Sequence, residues 1–179
     1  MPVTEASAIE NSYEDHVKTM FDLDSDAIFS NGMTDHARII IVEFLLRAKD
    51  SVVIFCHDLL AEVYDHKHMT AALMTALKNG VDVCIITQRT PNAQVFMSAA
   101  EKYNADPSLS GMLKLFQSKE EGIEQIEQNF AVMDRKAYRF EPNKVEHKAE
   151  ASANQPEVAN QLIKNFEQIL GFSYDELIA

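Results

Sequence analysis

The sequence has no tryptophan, only two cysteines, and five glycines and five prolines in 179 residues. So little Gly and Pro excludes long flexible linkers and low-complexity segments. Hydrophobic residues make up 46%, enough for one domain with a substantial core. Cys56 and Cys84 belong to no C-x-x-C pair, so no zinc site, other metal site or disulfide framework is indicated. Two buried, reduced thiols are expected. No apolar run reaches the roughly 18–20 residues that cross a bilayer. The first residues, MPVTEASAIENSYEDH, are acidic and lack the basic and apolar regions of a signal peptide. The expectation is a soluble, cytoplasmic protein without membrane contact.

Positive charge is also scarce. The chain carries 16 bases against 28 acids, a formal charge of -12. Such a surface repels phosphates, so nucleic-acid binding is not expected. The excess acid reads first as a solubilising surface. A basic protein partner, or mimicry of a nucleic acid, are the sharper alternatives. The bases that are present gather late, at Arg135, Lys136, Arg139, Lys144 and Lys148.

Residues 1–34 form an acidic segment, with seven acids and one lysine among the first 30. It is expected to pack on the domain, with an amphipathic helix around 8–20 and a short edge strand at 27–31. The domain proper spans 35–179. Apolar positions 37, 40, 41, 44, 45 and 48 repeat with the helical period. SVVIFC (51–56) is a β-rich run, and HMTAALMTALKNG (68–80) is helical again, with Gly80 suited to the position after a helix end. VDVCIIT (81–87) completes a strand–helix–strand unit that should be parallel. A helix at 92–103, a strand at 112–116 and a polar connector at 119–126 follow. NFAVM (129–133) and AYRF (137–140) read as strands joined by a tight turn. The last helix has Asn154 as N-cap, Glu157 completing a capping box, and Gly171 at its end. The fold class is α/β, a mixed sheet flanked by helices on both faces.

KNGVDVCII followed by EQNFAVMD (127–134) and SAN (152–154) resembles the order of motifs in the phospholipase D-like superfamily. That resemblance covers roughly residues 35–170. In the superfamily a strand carries a His-x-Lys-x-x-x-x-Asp signature, and a Ser-x-Asn element follows. Laid on this sequence, Asp134 takes the aspartate position, Glu127 the histidine position and Asn129 the lysine position. Ser152 and Asn154 take the Ser-x-Asn positions. A second register resembles His-Phe-x-x-x-Asp followed by a Tyr-Arg strand, with Asn129 in place of the histidine. In both registers the histidine is gone.

The resemblance implies a phosphohistidine mechanism that needs that histidine, with lysine and asparagine holding the phosphoryl oxygens. Glutamate is a poor nucleophile toward an anionic phosphodiester and adds charge of the wrong sign. Asparagine brings a donor but no charge. A substitute anion pocket would draw on Arg135, Lys136, Arg139, His147 and Lys148. Against it, VEHKAE (145–150) reads as an exposed, solvated segment. His57 follows strand 51–56 at its C-terminal end, where ligand sites of α/β folds gather. His66 and His68, two apart, point to different helix faces and suit a surface helix start.

The chain is therefore expected to be a non-catalytic member of the superfamily, a protein-binding or regulatory module without cofactor. Its size and charge also suit a phage or mobile-element protein. A phosphodiesterase or nuclease with a substituted site, and an acidic nucleic-acid mimic, are the alternatives. The resemblance further implies a homodimer, with the motif strands meeting at the two-fold axis.

Overall fold

The structure is a computed structural model that describes residues 5–146, 148–171 and 174–178. Helix α1 (Glu5–Asp22) leads to a short strand β1 (Phe29–Asn31). Then come α2 (Thr34–Arg47), β2 (Ser51–Cys56), the single turn α3 (Ala61–Tyr64), α4 (Lys67–Lys78) and β3 (Asp82–Thr87). The chain continues through α5 (Gln94–Asn104), β4 (Leu113–Ser118), the single turn α6 (Glu121–Glu124) and β5 (Asn129–Met133). It ends with β6 (Ala137–Asn143), β7 (Lys148–Ser152), α7 (Pro156–Leu170) and β8 (Tyr174–Ile178).

All the strands join one mixed sheet in the order β1-β7-β6-β5-β2-β3-β4-β8. Strands β2, β3 and β4 run parallel, while β5, β6, β7 and β1 alternate in direction from β2 outward. The antiparallel β8 closes the far edge against β4. The crossover from β2 to β3 contains α4, as the strand–helix–strand pattern predicts.

Strand alternation divides the apolar side chains between two faces. Ala131 and Met133 of β5 join Ile40, Phe44, Leu73 and Leu77 on the face covered by α1 to α5. Phe130 and Val132 face Leu162, Ile163 and Phe166 of α7. Helices therefore cover both faces. Because β2 and β3 are sandwiched, their sequences are nearly continuous apolar runs rather than alternating ones.

Helix α4 ends in a Schellman turn. Val81 N donates to Ala76 O at 3.0 Å and Gly80 N to Leu77 O at 3.2 Å. Gly80 takes φ 82°, the left-handed conformation this turn requires. The last helix begins differently from the sequence reading. Its N-cap is Gln155, with no side-chain cap bond, and Pro156 opens the first turn, where a missing N–H costs nothing. Asn154 instead donates to the main chain and side chain of Asp24, in the loop after α1. A long-range partner took the side chain that local pattern assigned to the cap. The segment read as exposed and solvated, 145–150, is in part strand: β7 begins at Lys148 and buries Ala149 and Ala151. Alanine carries little β preference, and pairing with β6 and β1 decides the conformation.

Among the described residues no helix is long and apolar enough to cross a membrane.

Candidate functional site

The C-terminal ends of β2 and β3 meet the start of β5 and the end of β6. Phe55 pairs with Phe130, so Asn129 lies beside the end of β2, next to Cys56 and within reach of His57. Asn129 Oδ1 accepts the His57 main-chain N–H at 2.7 Å. On the other flank Asn129 pairs with Glu141, and Ala131 with Arg139. Helices α2 and α3 roof this corner with Ala37, Ile41, Leu60 and Val63. The result is a cavity of about 160 Å³, to which the sheet contributes Cys56, Asn129, Arg139 and Glu141.

Arg139 and Glu141 form a buried ion pair, Nη2 to Oε2 at 3.0 Å. The same Nη2 donates to Asn31 Oδ1 at 3.3 Å, which ties the cavity floor to β1. Arg139 Nε and Asn31 Nδ2 are buried without a hydrogen-bond partner among the described residues. Lys144, just beyond β6, donates from Nζ to Glu124 O at 3.1 Å and Ile126 O at 3.4 Å. Its charge is thus held by carbonyl dipoles rather than by a carboxylate. Cys56 lines the same cavity, and burial pushes its thiol up to about 12, so it is inert as a nucleophile.

His57 is the most constrained member. Gln88 is buried and both protons of its Nε2 are spent, on Ile123 O at 2.6 Å and Ile126 O at 2.8 Å. Gln88 Oε1 therefore faces His57 Nδ1 in a very short contact. Two groups of opposite demand meet at Nδ1: the amide oxygen of Gln88 accepts from a protonated nitrogen, whereas the Lys144 ammonium donates to a bare one. Lys144 Nζ lies 3.1 Å from Nδ1, and Asp58 Oδ2 lies 3.8 Å from Nε2.

The residues singled out in the sequence do not converge on one spot. Asn129, Arg139 and His57 share the cavity. Glu127 is exposed and lines a separate groove of about 650 Å³ between the α6 turn and α7. Ser152 lies at the opposite end of the sheet, paired with Tyr138, fully buried and donating to Ser25 O at 3.4 Å. Asn154 follows it there. Asp134 also sits at that end. Its Oδ1 accepts from the main-chain N–H groups of Asp50 and Ser51 at 2.9 and 3.0 Å, and its Oδ2 from Lys49 at 2.9 Å. Arg135 pairs with Glu167 and Lys136 with Asp24, both on the surface beside Asp134. Lys148 is exposed, 3.9 Å from Glu146. His147 lies outside the described residues. A single pocket of Arg135, Lys136, Arg139 and Lys148 is therefore not formed, because β6 carries Arg139 away from the turn that holds the first two. Glu141, Lys144 and Gln88 were not singled out as site residues. The signal for Lys144 was its place in the late basic cluster, while nothing local marks Gln88. Among the described residues no group of three or more His, Cys, Asp or Glu side chains is placed to hold a metal ion.

No protein-family model and no curated protein sequence matches the chain. Solved structures do. Nuc from Salmonella typhimurium, a phospholipase D family member, superposes with a TM-score of 0.60 over 86% of this chain and 99% of its own, at 16% identity. The fold is that of the phospholipase D superfamily. NucT from Helicobacter pylori matches at a TM-score of 0.53, covering 80% of this chain and 94% of its own at 15% identity. TrmBL2, an archaeal chromatin protein whose structure shows a mode of DNA binding, matches at 0.60 over 96% of this chain and 63% of its own, at 11% identity. The sheet places Asp134 just past β5, its carboxylate bound to the main chain of Lys49, Asp50 and Ser51 and away from the cavity.

Proposed function

We propose that the chain is a non-catalytic phospholipase D-like protein that works as a protein-binding or regulatory module. The observation that carries this reading is the use made of the motif positions. Asp134 is occupied by three main-chain N–H groups. Asn129 is occupied by the His57 N–H. Glu127, at the nucleophile position, is exposed and lines a different groove from the one Asn129 enters. The motif residues that remain hold the backbone together, and the two that supply the reaction are replaced.

A second reading has one specific observation in its favour. His57, just past the end of a different strand, lines the cavity together with Arg139 and Lys144. That would serve a phosphodiesterase with a substituted nucleophile. One assay separates the two readings: hydrolysis of a chromogenic phosphodiester and of single- and double-stranded DNA, with chelator present, beside His57→Gln. The non-catalytic reading expects no turnover by either protein. Turnover by the native chain that disappears in His57→Gln overturns it.

A further inference from the structure

We propose that the groove between the α6 turn and α7 is a docking site for an exposed segment of another protein, one that carries an apolar side chain flanked by Lys or Arg. This rests on the non-catalytic reading and deepens it by naming the chemistry of the partner.

Three observations lead there. First, the groove has an apolar floor, built by Ile123, Ile126, Phe130 and Ile169, and a volume of about 650 Å³. Sites for drug-sized groups run from roughly 300 to 1,000 Å³, so the space suits a large side chain with its neighbours rather than a single ion. Water fills such a groove without satisfying its floor, which gains from an apolar occupant. Second, the rim is acidic and holds no base. Glu120 stands before the α6 turn and Glu127 after it, and both line the groove. Helix α7 adds the uncharged Asn165, Gln168 and Ile169. Other cavities of the chain differ: their walls hold Arg139 and Lys144, or Arg38 and Lys67, or Arg47, Lys49 and Lys136. Glu121 and Glu124, on the same turn, are exposed. Among the described residues none of these four glutamates has an ion-pair partner, and Lys119, the nearest base in sequence, is spent on Asp175. The uncompensated charge is therefore concentrated at this groove, beyond the average of a protein of charge -12. Third, the acidic wall is held in place. The Ile123 and Ile126 carbonyls accept from Gln88 Nε2 at 2.6 and 2.8 Å. Those of Glu124 and Ile126 accept from Lys144 Nζ at 3.1 and 3.4 Å, and that of Glu127 from the Lys144 main-chain N–H at 2.8 Å. Lys144 itself lines the neighbouring cavity and not the groove. A wall fixed before binding has little order left to lose when a partner arrives.

The occupant needs both halves of this chemistry. A polycation without an apolar group leaves the floor wet, and an apolar group between acids meets a rim of its own sign. Glu120 and Glu127 belong to the two ends of one segment, so bases are wanted on both sides of the apolar residue. A second copy of the chain fits badly, since it brings its own charge of -12 to an acidic rim.

The test is a titration of the full chain, labelled with ¹⁵N, with the peptide acetyl-RRLFRR-amide, read at the backbone amides. Acetyl-RRSSRR-amide keeps the charge and acetyl-EELFEE-amide keeps the apolar pair, and both serve as comparisons. The expected result is a saturable shift at Ile123, Ile126, Glu127 and Ile169 with acetyl-RRLFRR-amide, at least about tenfold tighter than with either comparison peptide. Binding should weaken as salt rises from about 0.05 to about 0.5 M. Glu120→Lys combined with Glu127→Lys, whose melting temperature reports that it folds, should weaken it by at least about tenfold. Glu101→Lys combined with Glu157→Lys makes the same change in net charge at exposed positions outside the groove, and should alter it by no more than about threefold. Equal binding of acetyl-RRSSRR-amide, shifts confined to residues outside the groove, an equal loss in both double variants, or no saturable shift overturns the proposal. So does a dimer whose interface protects the groove amides from hydrogen exchange, which makes a second copy the occupant. A peptide that fails to bind leaves the non-catalytic reading standing, whereas phosphodiester turnover removes that reading whatever the titration shows.

Discussion

Asp134→Ala should cost stability, because Asp134 works as a clamp between the end of α2 and the start of β2. The substitution strands three main-chain N–H groups. Those of Lys49 and Asp50 are at the surface, and water takes over most of the loss. That of Ser51 is half-buried, at the first residue of a central strand. A hydrogen bond to a charged group contributes about 1.5–3 kcal/mol, and less where water replaces it. The sum is about 2–4 kcal/mol. For a chain of this size each kcal/mol moves the melting temperature by about 2–4 °C. A fall of about 4–16 °C follows, with a matching shift of the urea midpoint at unchanged slope. Asp134→Asn should lose less than half as much. Its one carbonyl oxygen can still serve Asp50 and Ser51, and asparagine tolerates the φ of 51° found here. Equilibrium urea unfolding by circular dichroism measures both variants. A loss below about 1 kcal/mol for Asp134→Ala would refute the clamp, and would return this aspartate to the list of groups held for chemistry.

Other substitutions test the rest of the argument. Arg139→Ala leaves Glu141 buried without its cation and should cost about 3–5 kcal/mol, whereas the double change Arg139→Met with Glu141→Leu should cost less than either single one; urea unfolding of the three compares them. Gly111→Ala drives a Cβ to within 2.3 Å of Val81 O and 2.9 Å of Leu77 Cα, both backbone, so a loss of at least about 2–3 kcal/mol in thermal melts is expected. Arg135→Gly should stabilise by about 0.5–1 kcal/mol, since Arg135 holds φ 56° and its ion pair with Glu167 is exposed. Burial raises Cys56 to about 12, Cys84 to about 11, and Tyr13 and Tyr138 to about 12. A raised acid pKa favours the folded state only while the group stays protonated. That stability is complete below the ordinary thiol and phenol range, near pH 8.5 to 10, and is lost as pH rises toward 11–12. Melting temperature against pH should therefore fall steeply above about pH 9.

The fold was readable in the sequence where a segment carries its own pattern. Runs such as VDVCII, sandwiched between two helical layers, are apolar on both faces, and the α7 stripe of Leu162, Phe166 and Ile169 has the helical period. Strand β7 was not readable, because Lys-Ala-Glu-Ala-Ser has no strong preference and is strand only through its neighbours β1 and β6. The site divides in the same way. Position along the motif strand singles out Asn129 and Asp134, and the end of β2 singles out His57. The hydrogen bond that orients His57 comes from Gln88, 31 residues away, with its own amide fixed by carbonyls of the α6 turn. Such a relay leaves no spacing in the sequence. Ser152 and Asn154 lie away from the cavity because of strand direction. β7 runs back along β6, so residues shortly after the basic cluster return to the far end of the sheet.

The outer strand β8 bears on how copies of this chain can meet. Tyr174, Asp175, Glu176 and Leu177 are exposed along an edge that has one partner, β4, and an irregular register at Leu115 and Phe116. Paired strands bring facing Cβ atoms to about 4.5–5.5 Å. Two β8 edges zipped together would crowd Asp175 and Glu176 against their counterparts in a protein already rich in carboxylates. Edge-on growth of the sheet is penalised at its first step. The acidity that looks diffuse in the composition is, at this border, a fence: it leaves helical faces and grooves as the ground on which the chain can receive a companion.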